Sequence, residues 1–159
     1  MTDKIIVLDF GSQYNQLIAR RIREMGVYSA LLPHTIKASE IKAMEGIKGI
    51  VFSGGPKSVY DDDAFKVDEE IFNLGLPILG ICYGMQLTAK HFNGEIKGSP
   101  TREYGKMDIL INDKSLLFKD LDAKEEVWMS HGDHVAKIPQ GFKLLAKSQN
   151  GLVASIANE

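Results

Sequence analysis

Cys82 is the single cysteine of the 159-residue chain, and it sits inside Gly80-Ile81-Cys82-Tyr83-Gly84. A lone cysteine forms no internal disulfide and no multi-cysteine zinc site, so its chemistry would be that of a nucleophilic thiol. The apolar run before it, residues 78–81, reads as a strand, and Met85, Leu87 and Ala89 place a helix directly after it, starting near Tyr83. A strand that turns abruptly into a helix pushes the turn residue outward, and it needs small residues two before and two after, because the flanking backbones pack closely. Both positions are glycine here. A thiol at a helix N-terminus meets the positive end of the helix dipole, which favours the thiolate that attacks carbonyl carbon. The same turn aims the Tyr83 amide N–H at the space where the oxyanion of a tetrahedral intermediate would sit. A small buried apolar cysteine fits the pentapeptide equally well.

A second feature falls on the same edge. Ser53-Gly54-Gly55-Pro56 follows an apolar run at 49–52, and strand ends of an open parallel sheet converge on the carboxyl edge where ligands bind. Its glycines fit a plain turn, but a backbone N–H there would complete an oxyanion hole. Other patterns carry less. Asp9-Phe10-Gly11 matches the kinase metal-binding triplet, yet no catalytic-loop motif or phosphate-pairing lysine strand accompanies it. Asp61, Asp62 and Asp63 lack the glycine and distal glutamate of a calcium loop. The loops Gly11-Ser12 and Gly54-Gly55 would suit phosphate in a nucleotide-binding domain, but neither has a Walker or dinucleotide glycine pattern. Arg20, Arg21 and Arg23 read as a solvated helix face, with contact to a partner as the less economical reading. Trp128 and the methionines read as core or pocket lining.

The elements that must hold these residues alternate. Short apolar runs at 5–8, 27–32, 49–52 and 78–81 predict buried strands. Between the first two lies a helix with Ser12 as N-cap, Leu17, Ile18, Ile22 and Met25 on one face, and Gly26 at its end. Ser39 caps a short helix to Met44, and Val67, Ile71 and Leu74 mark an amphipathic stretch. From Gly94 onward the texture becomes strand-like, at 107–111, 127–129, 142–146 and 152–156, with a turn at Asn150-Gly151. The expected fold class is α/β: a flavodoxin-like three-layer sandwich with a mostly parallel central sheet and a smaller antiparallel extension. No repeat or linker composition divides the chain, so residues 1–159 are expected to form one domain. With 44% hydrophobic and 25% charged residues the composition is that of a globular protein. A formal net charge of -2 argues against nucleic acid as a partner. The early apolar run, closed by Asp9, is too short for a signal peptide or membrane span. Single-cysteine usage makes cytoplasm the expected compartment.

Five blocks together resemble the class I glutamine amidotransferases, and within them the glutaminase domains of GMP synthases. They are Leu8-Asp9-Phe10-Gly11-Ser12-Gln13-Tyr14 with Ala19-Arg20-Arg21-Ile22-Arg23-Glu24, then Ser53-Gly54-Gly55-Pro56, then Gly80-Ile81-Cys82-Tyr83-Gly84-Met85-Gln86, then Arg102-Glu103-Tyr104-Gly105, and Val127-Trp128-Met129-Ser130-His131-Gly132-Asp133. The elbow and the Ser-Gly-Gly-Pro loop carry the class; the first and last blocks carry the GMP synthase likeness. The resemblance implies that Cys82 attacks the carboxamide of glutamine, that the Gly55 and Tyr83 amides are the oxyanion donors, and that Gln86, Ser130, Gly132 and Asp133 hold the amino and carboxylate ends of the substrate. It implies no metal or cofactor in this domain. It also implies a partner, a synthetase domain or subunit that uses ATP and magnesium and aminates an adenylated XMP with the ammonia released.

One departure accompanies the likeness. The family's base is a histidine of a His-Pro-Glu turn, and none of the 4 histidines, His34, His91, His131 and His134, is followed two residues later by glutamate. The domain is therefore expected to lack its C-terminal strand and that turn, to expose apolar surface on its last strands, and to turn glutamine over slowly by itself. His131 is the nearest substitute by location and is not assigned as base. The rival expectation is a non-catalytic module that binds glutamine or the synthetase partner without turnover.

Overall fold

The structure, a computed structural model, describes residues 2–159. Where composition marks no boundary, the chain divides into two compact units, Met1–Thr88 and Ala89–Glu159.

The first unit is built on a parallel sheet of β1 (Lys4–Asp9), β2 (Tyr28–Pro33), β3 (Ile47–Phe52) and β4 (Ile78–Gly80), in the order β2-β1-β3-β4. Every pairing is parallel, with Val7 opposite both Leu31 and Val51, and Phe52 opposite Gly80. The β1 and β3 runs are apolar without alternation because both faces are covered. On one face Val7 and Val51 pack against Ala19 and Ile22 of α1 (Asn15–Glu24), with Ile5, Ile18 and Leu31 around them. The neighbouring positions Ile6, Leu8, Ile50 and Phe52 are buried as well. Phe52 meets Phe10 and Phe72 at ring-centroid distances of 5.6 and 5.5 Å, and full burial of such a ring stabilises by about 2–3 kcal/mol.

Four local expectations are corrected, the first of them Ser39, which lies inside the short helix Ala38–Ala43 rather than capping it. The helix α1 starts at Asn15, and Ser12 does not cap it; its Oγ accepts from the Tyr14 N–H in a tight turn ahead of the helix. The buried stripe is Asn15, Ala19 and Ile22, so Leu17 and Met25 point outward, Met25 with 73% of its surface exposed. Gly26 does end the helix, with the Val27 N–H returning to the Ile22 carbonyl. The amphipathic stretch at 67–74 is only a 3-10 turn over Glu69–Asn73. Asp68 at its start also accepts from the Ala38 N–H, so one carboxylate serves this turn and the start of α2 (Ala38–Ala43) together.

The second unit is an antiparallel sheet of β5 (Glu95–Ile111), β6 (Lys124–Lys137), β7 (Lys143–Ser148) and β8 (Val153–Ala157), ordered β6-β5-β7-β8. It is a four-stranded sheet in its own right, larger than the extension predicted. The β5 strand is 17 residues long, where only 107–111 shows an apolar run, because it pairs with β6 over 95–98 and again over 103–110. Trp128 lies on β6 with 70% of its surface exposed, so it is not part of the core. All five β8 residues are half-buried, and the exposed large side chains of the unit lie elsewhere, at Leu110, Leu116 and Trp128 among others. The helix α3 (Tyr83–His91) closes the first unit, and its last turn is counted with the second.

Candidate functional site

The turn from β4 into α3 is a constrained elbow. Cys82 has φ +50, a backbone conformation that costs an L-residue energy unless its surroundings impose it. What imposes it is close packing on either side. A Cβ built on Gly80 would lie 2.6 Å from the Met85 nitrogen, and one on Gly84 would lie 2.4 Å from the Phe52 carbonyl oxygen. Hydrogen bonds fix the same geometry. The Ile81 N–H donates to Phe52 O at 2.9 Å, the Gly84 N–H to Ile81 O at 2.9 Å, and the Gln86 N–H to Cys82 O at 3.0 Å. Sterics thus choose glycine at both flanks and leave residue 82 as the projecting one.

The Ser53-Gly54-Gly55-Pro56 loop runs alongside. Gly54 lies against the cysteine, where a Cβ would be 3.5 Å from Cys82 Cβ, and Gly55 lies against β1's end, where a Cβ would be 2.3 Å from Phe10 O. Ser53, fully buried, ties the loop down: its Oγ accepts from the Phe10 N–H and donates to the Gly54 carbonyl, both at 2.9 Å. Among the described residues, neither the Gly55 nor the Tyr83 N–H donates to another backbone carbonyl. Tyr83 has a second role that the sequence did not indicate. Its ring is buried against Phe10 at 5.5 Å, and its hydroxyl donates to the Phe65 carbonyl, so its side chain anchors the elbow to the segment following the loop.

Electrostatics modify the expectation for the thiol. Burial pushes the Cys82 thiol up from its ordinary value, the direction opposite to the thiolate-favouring effect expected of a helix N-terminus. Burial likewise pushes the Tyr83 phenol up, with the Asp61 charge adding to it. The resting group is a thiol, which would have to give up a proton before it could act as a nucleophile.

Cys82, Gly55, Tyr83 and Gln86 thus all belong to the first unit, Gln86 buried on α3. Ser130, Gly132 and Asp133 belong to the second, on β6. The β5–β6 ladder breaks at this segment. Glu103 pairs with His131 and Gly98 with Asp133, so four β5 residues, 99–102, face Gly132 alone. Such bulges re-aim side chains and free backbone groups from the ladder. A side chain that sequence reasoning gave no role lies beside it: Glu103, with 1% of its surface exposed, contacts His131 Nε2 at 2.9 Å. His131 Nδ1 lies 2.7 Å from the Asp133 carbonyl oxygen. That oxygen only accepts, so Nδ1 carries a proton, and Nε2 is engaged by the carboxyl group. Neither ring nitrogen of His131 has a lone pair free for the cysteine's proton.

The comparisons with known proteins agree with this geometry. The sequence matches the family model of the class-I glutamine amidotransferases over residues 6–159. The GMP synthase (glutamine-hydrolyzing) of Pediococcus pentosaceus is 60% identical over 158 residues, which cover 99% of this chain and 30% of that protein. That of Listeria innocua is 59% identical over 157 residues, with the same two coverages, 99% and 30%. The chain therefore spans about 30% of the length of the curated relatives it matches. Among solved structures, a Thermoplasma acidophilum protein assigned to GMP synthase superposes with a TM-score of 0.88 at 30% identity, over 100% of this chain and 79% of that one. A glutamine amidotransferase of Thermotoga maritima, 17% identical, shares the fold with a TM-score of 0.79 over 99% of this chain and 72% of that one. An elbow cysteine between two obligatory glycines, a loop laid against it and a match along nearly all of the sequence lead to one assignment: the chain belongs to the class-I glutamine amidotransferase family.

Proposed function

We propose that this chain is the glutaminase part of a GMP synthase. The observation that carries the reading is Cys82 held at φ +50 between glycines that have no room for a side chain. Cys82 Sγ attacks the carboxamide carbon of glutamine while its proton passes to a general base, and the carbonyl oxygen becomes an oxyanion. The Gly55 and Tyr83 N–H groups stabilise that oxyanion. The base returns that proton to the amide nitrogen, which departs as ammonia when the C–N bond breaks, leaving a glutamyl thioester that water hydrolyses to glutamate and free thiol. Gln86, Ser130, Gly132 and Asp133 recognise the amino and carboxylate ends of glutamine. The ammonia aminates an adenylated XMP on a synthetase domain or subunit that uses ATP and magnesium. The likeness to glutamine-hydrolysing GMP synthases supports this substrate pair.

An electrophilic glutamine analogue, a diazoketone, tests the assignment in the intact protein. It labels Cys82, and Cys82→Ala loses both the labelling and glutamine-dependent ammonia release. Undiminished labelling of Cys82→Ala, located by mass spectrometry, removes the nucleophile from this position.

A second reading, glutamine binding without efficient turnover by these 159 residues alone, is favoured by the engagement of both His131 nitrogens and by the raised Cys82 thiol. Ammonia release by the 159 residues, set against that of the intact protein, tests it. Equal rates dispose of it and make a histidine within these residues the base.

A further inference from the structure

We propose that Glu103 is a positioning residue for the glutamine-recognition segment, acting through His131. The proposal rests on the assignment of Ser130, Gly132 and Asp133 to glutamine.

Glu103 is a carboxyl group buried in the second unit, and burying one is costly unless it is hydrogen-bonded. Three donors from separate elements meet it. Ser148 Oγ, at the end of β7, donates to Oε1 at 2.5 Å, and Asn150 Nδ2, in the turn that follows, donates to the same oxygen at 3.1 Å. The other oxygen, Oε2, faces His131 Nε2 at 2.9 Å. Glu103 is therefore fixed from one side by β7 and its turn, and it fixes the imidazole on the other. That imidazole, with 14% of its side chain exposed, passes the constraint on by donating from Nδ1 to the carbonyl of Asp133.

The chain of contacts ends where the sheet gives the backbone least support. Between the Glu103–His131 and Gly98–Asp133 pairs the β5–β6 ladder is interrupted, and Gly132 has no single opposite residue. A free bulge of this kind samples several backbone arrangements, and a ligand held by residues 130, 132 and 133 would have to select one of them. The Glu103–His131–Asp133 carbonyl chain makes that selection before glutamine arrives. Glu103 touches neither the nucleophile nor the substrate in this account; it sets where the touching groups stand.

The expected signature is loss of glutamine affinity with the chemical step spared. In the intact protein, Glu103→Ala raises KM for glutamine about tenfold or more, the equivalent of one buried hydrogen-bonding partner lost, while kcat stays within about threefold. Glu103→Gln, which keeps the volume and can still accept from Ser148 and donate to His131 Nε2, recovers most of the affinity. His131→Phe fills the imidazole's space without either hydrogen bond and reproduces the high KM, so it decides the matter if Glu103→Ala does not fold. In each variant, labelling of Cys82 by the diazoketone slows in step with KM, whereas alkylation by iodoacetamide, which needs no glutamine recognition, proceeds at the unmodified rate. An unchanged KM in Glu103→Ala or His131→Phe overturns the proposal, as does a fall in kcat with KM unchanged. A failure of the unmodified protein to label at Cys82 is a different result: it removes the glutaminase reading on which the proposal rests.

Discussion

The two units hold their candidate functional residues by opposite means. In the first, close main-chain packing does most of it, with the Ser53 hydroxyl and the Tyr83 phenol as additional ties. Three glycines stand where a methyl group would come within 2.6 Å of another backbone atom, and the cysteine is forced into a positive φ with no charged group involved. In the second, side chains do it. Gly132 has ordinary space around it, with Arg102 3.7 Å from a methyl built there, and the segment is tied instead by a buried carboxylate, an imidazole, a hydroxyl and an amide. A backbone cradle is nearly rigid, because any change of residue type collides with main-chain atoms. A side-chain tether is adjustable, because each hydrogen bond can be removed separately at modest cost. The groups proposed as nucleophile and oxyanion donors, which would need sub-ångström placement, occupy the rigid kind. The groups proposed to bind glutamine occupy the adjustable kind.

The largest expected effect follows from the cradle. Gly55→Val drives a side chain into Phe10 O and displaces the proposed oxyanion donor, so glutamine turnover in the intact protein is expected to fall by about two to three orders of magnitude. Steady-state ammonia release measures this, and full activity in Gly55→Val would mean that the loop contributes no donor. A direct contrast of the two units comes next. Gly84→Ala, with its methyl 2.4 Å from Phe52 O, lowers unfolding stability by about 3 kcal/mol, near the upper end for overpacking. Gly132→Ala meets only the flexible Arg102 side chain and changes stability by no more than about 0.5 kcal/mol. Urea denaturation of the pair checks the distinction; equal losses would break the contrast between rigid and adjustable support. The smallest effect concerns the thiol. Because burial raises the Cys82 pKa, the thiolate fraction at neutral pH is lower than that of an exposed cysteine. Its alkylation rate in the absence of glutamine should therefore still be climbing above the pH at which a free thiol levels off. A plateau reached near neutral pH would reveal an activating base already in place.

The elbow was legible because its rules are local. Glycine two residues to either side of a cysteine, at the junction of an apolar strand and a helix, is a steric requirement of that turn, and it reads the same wherever the chain goes afterwards. The Ser-Gly-Gly-Pro loop and the strand runs of the first unit were legible for the same reason. The helix face was less so, since Leu17, Ala19 and Met25 are all apolar and only the packing against Val7 and Val51 decided which of them is covered.

What the sequence determined by itself is the set of constraints whose range is a few residues: where strands turn, where no side chain fits, which residue projects. The tertiary structure alone decided the rest. Glu103 finds His131 28 residues away and Ser148 45 residues away, and nothing in Arg102-Glu103-Tyr104-Gly105 announces either partner. Trp128 is exposed, and the Cys82 thiol is pushed up by burial, because of what does or does not pack over them. Steric exclusion acts between neighbours in the chain, whereas desolvation and hydrogen-bond pairing depend on segments that only folding brings within a few ångströms of each other.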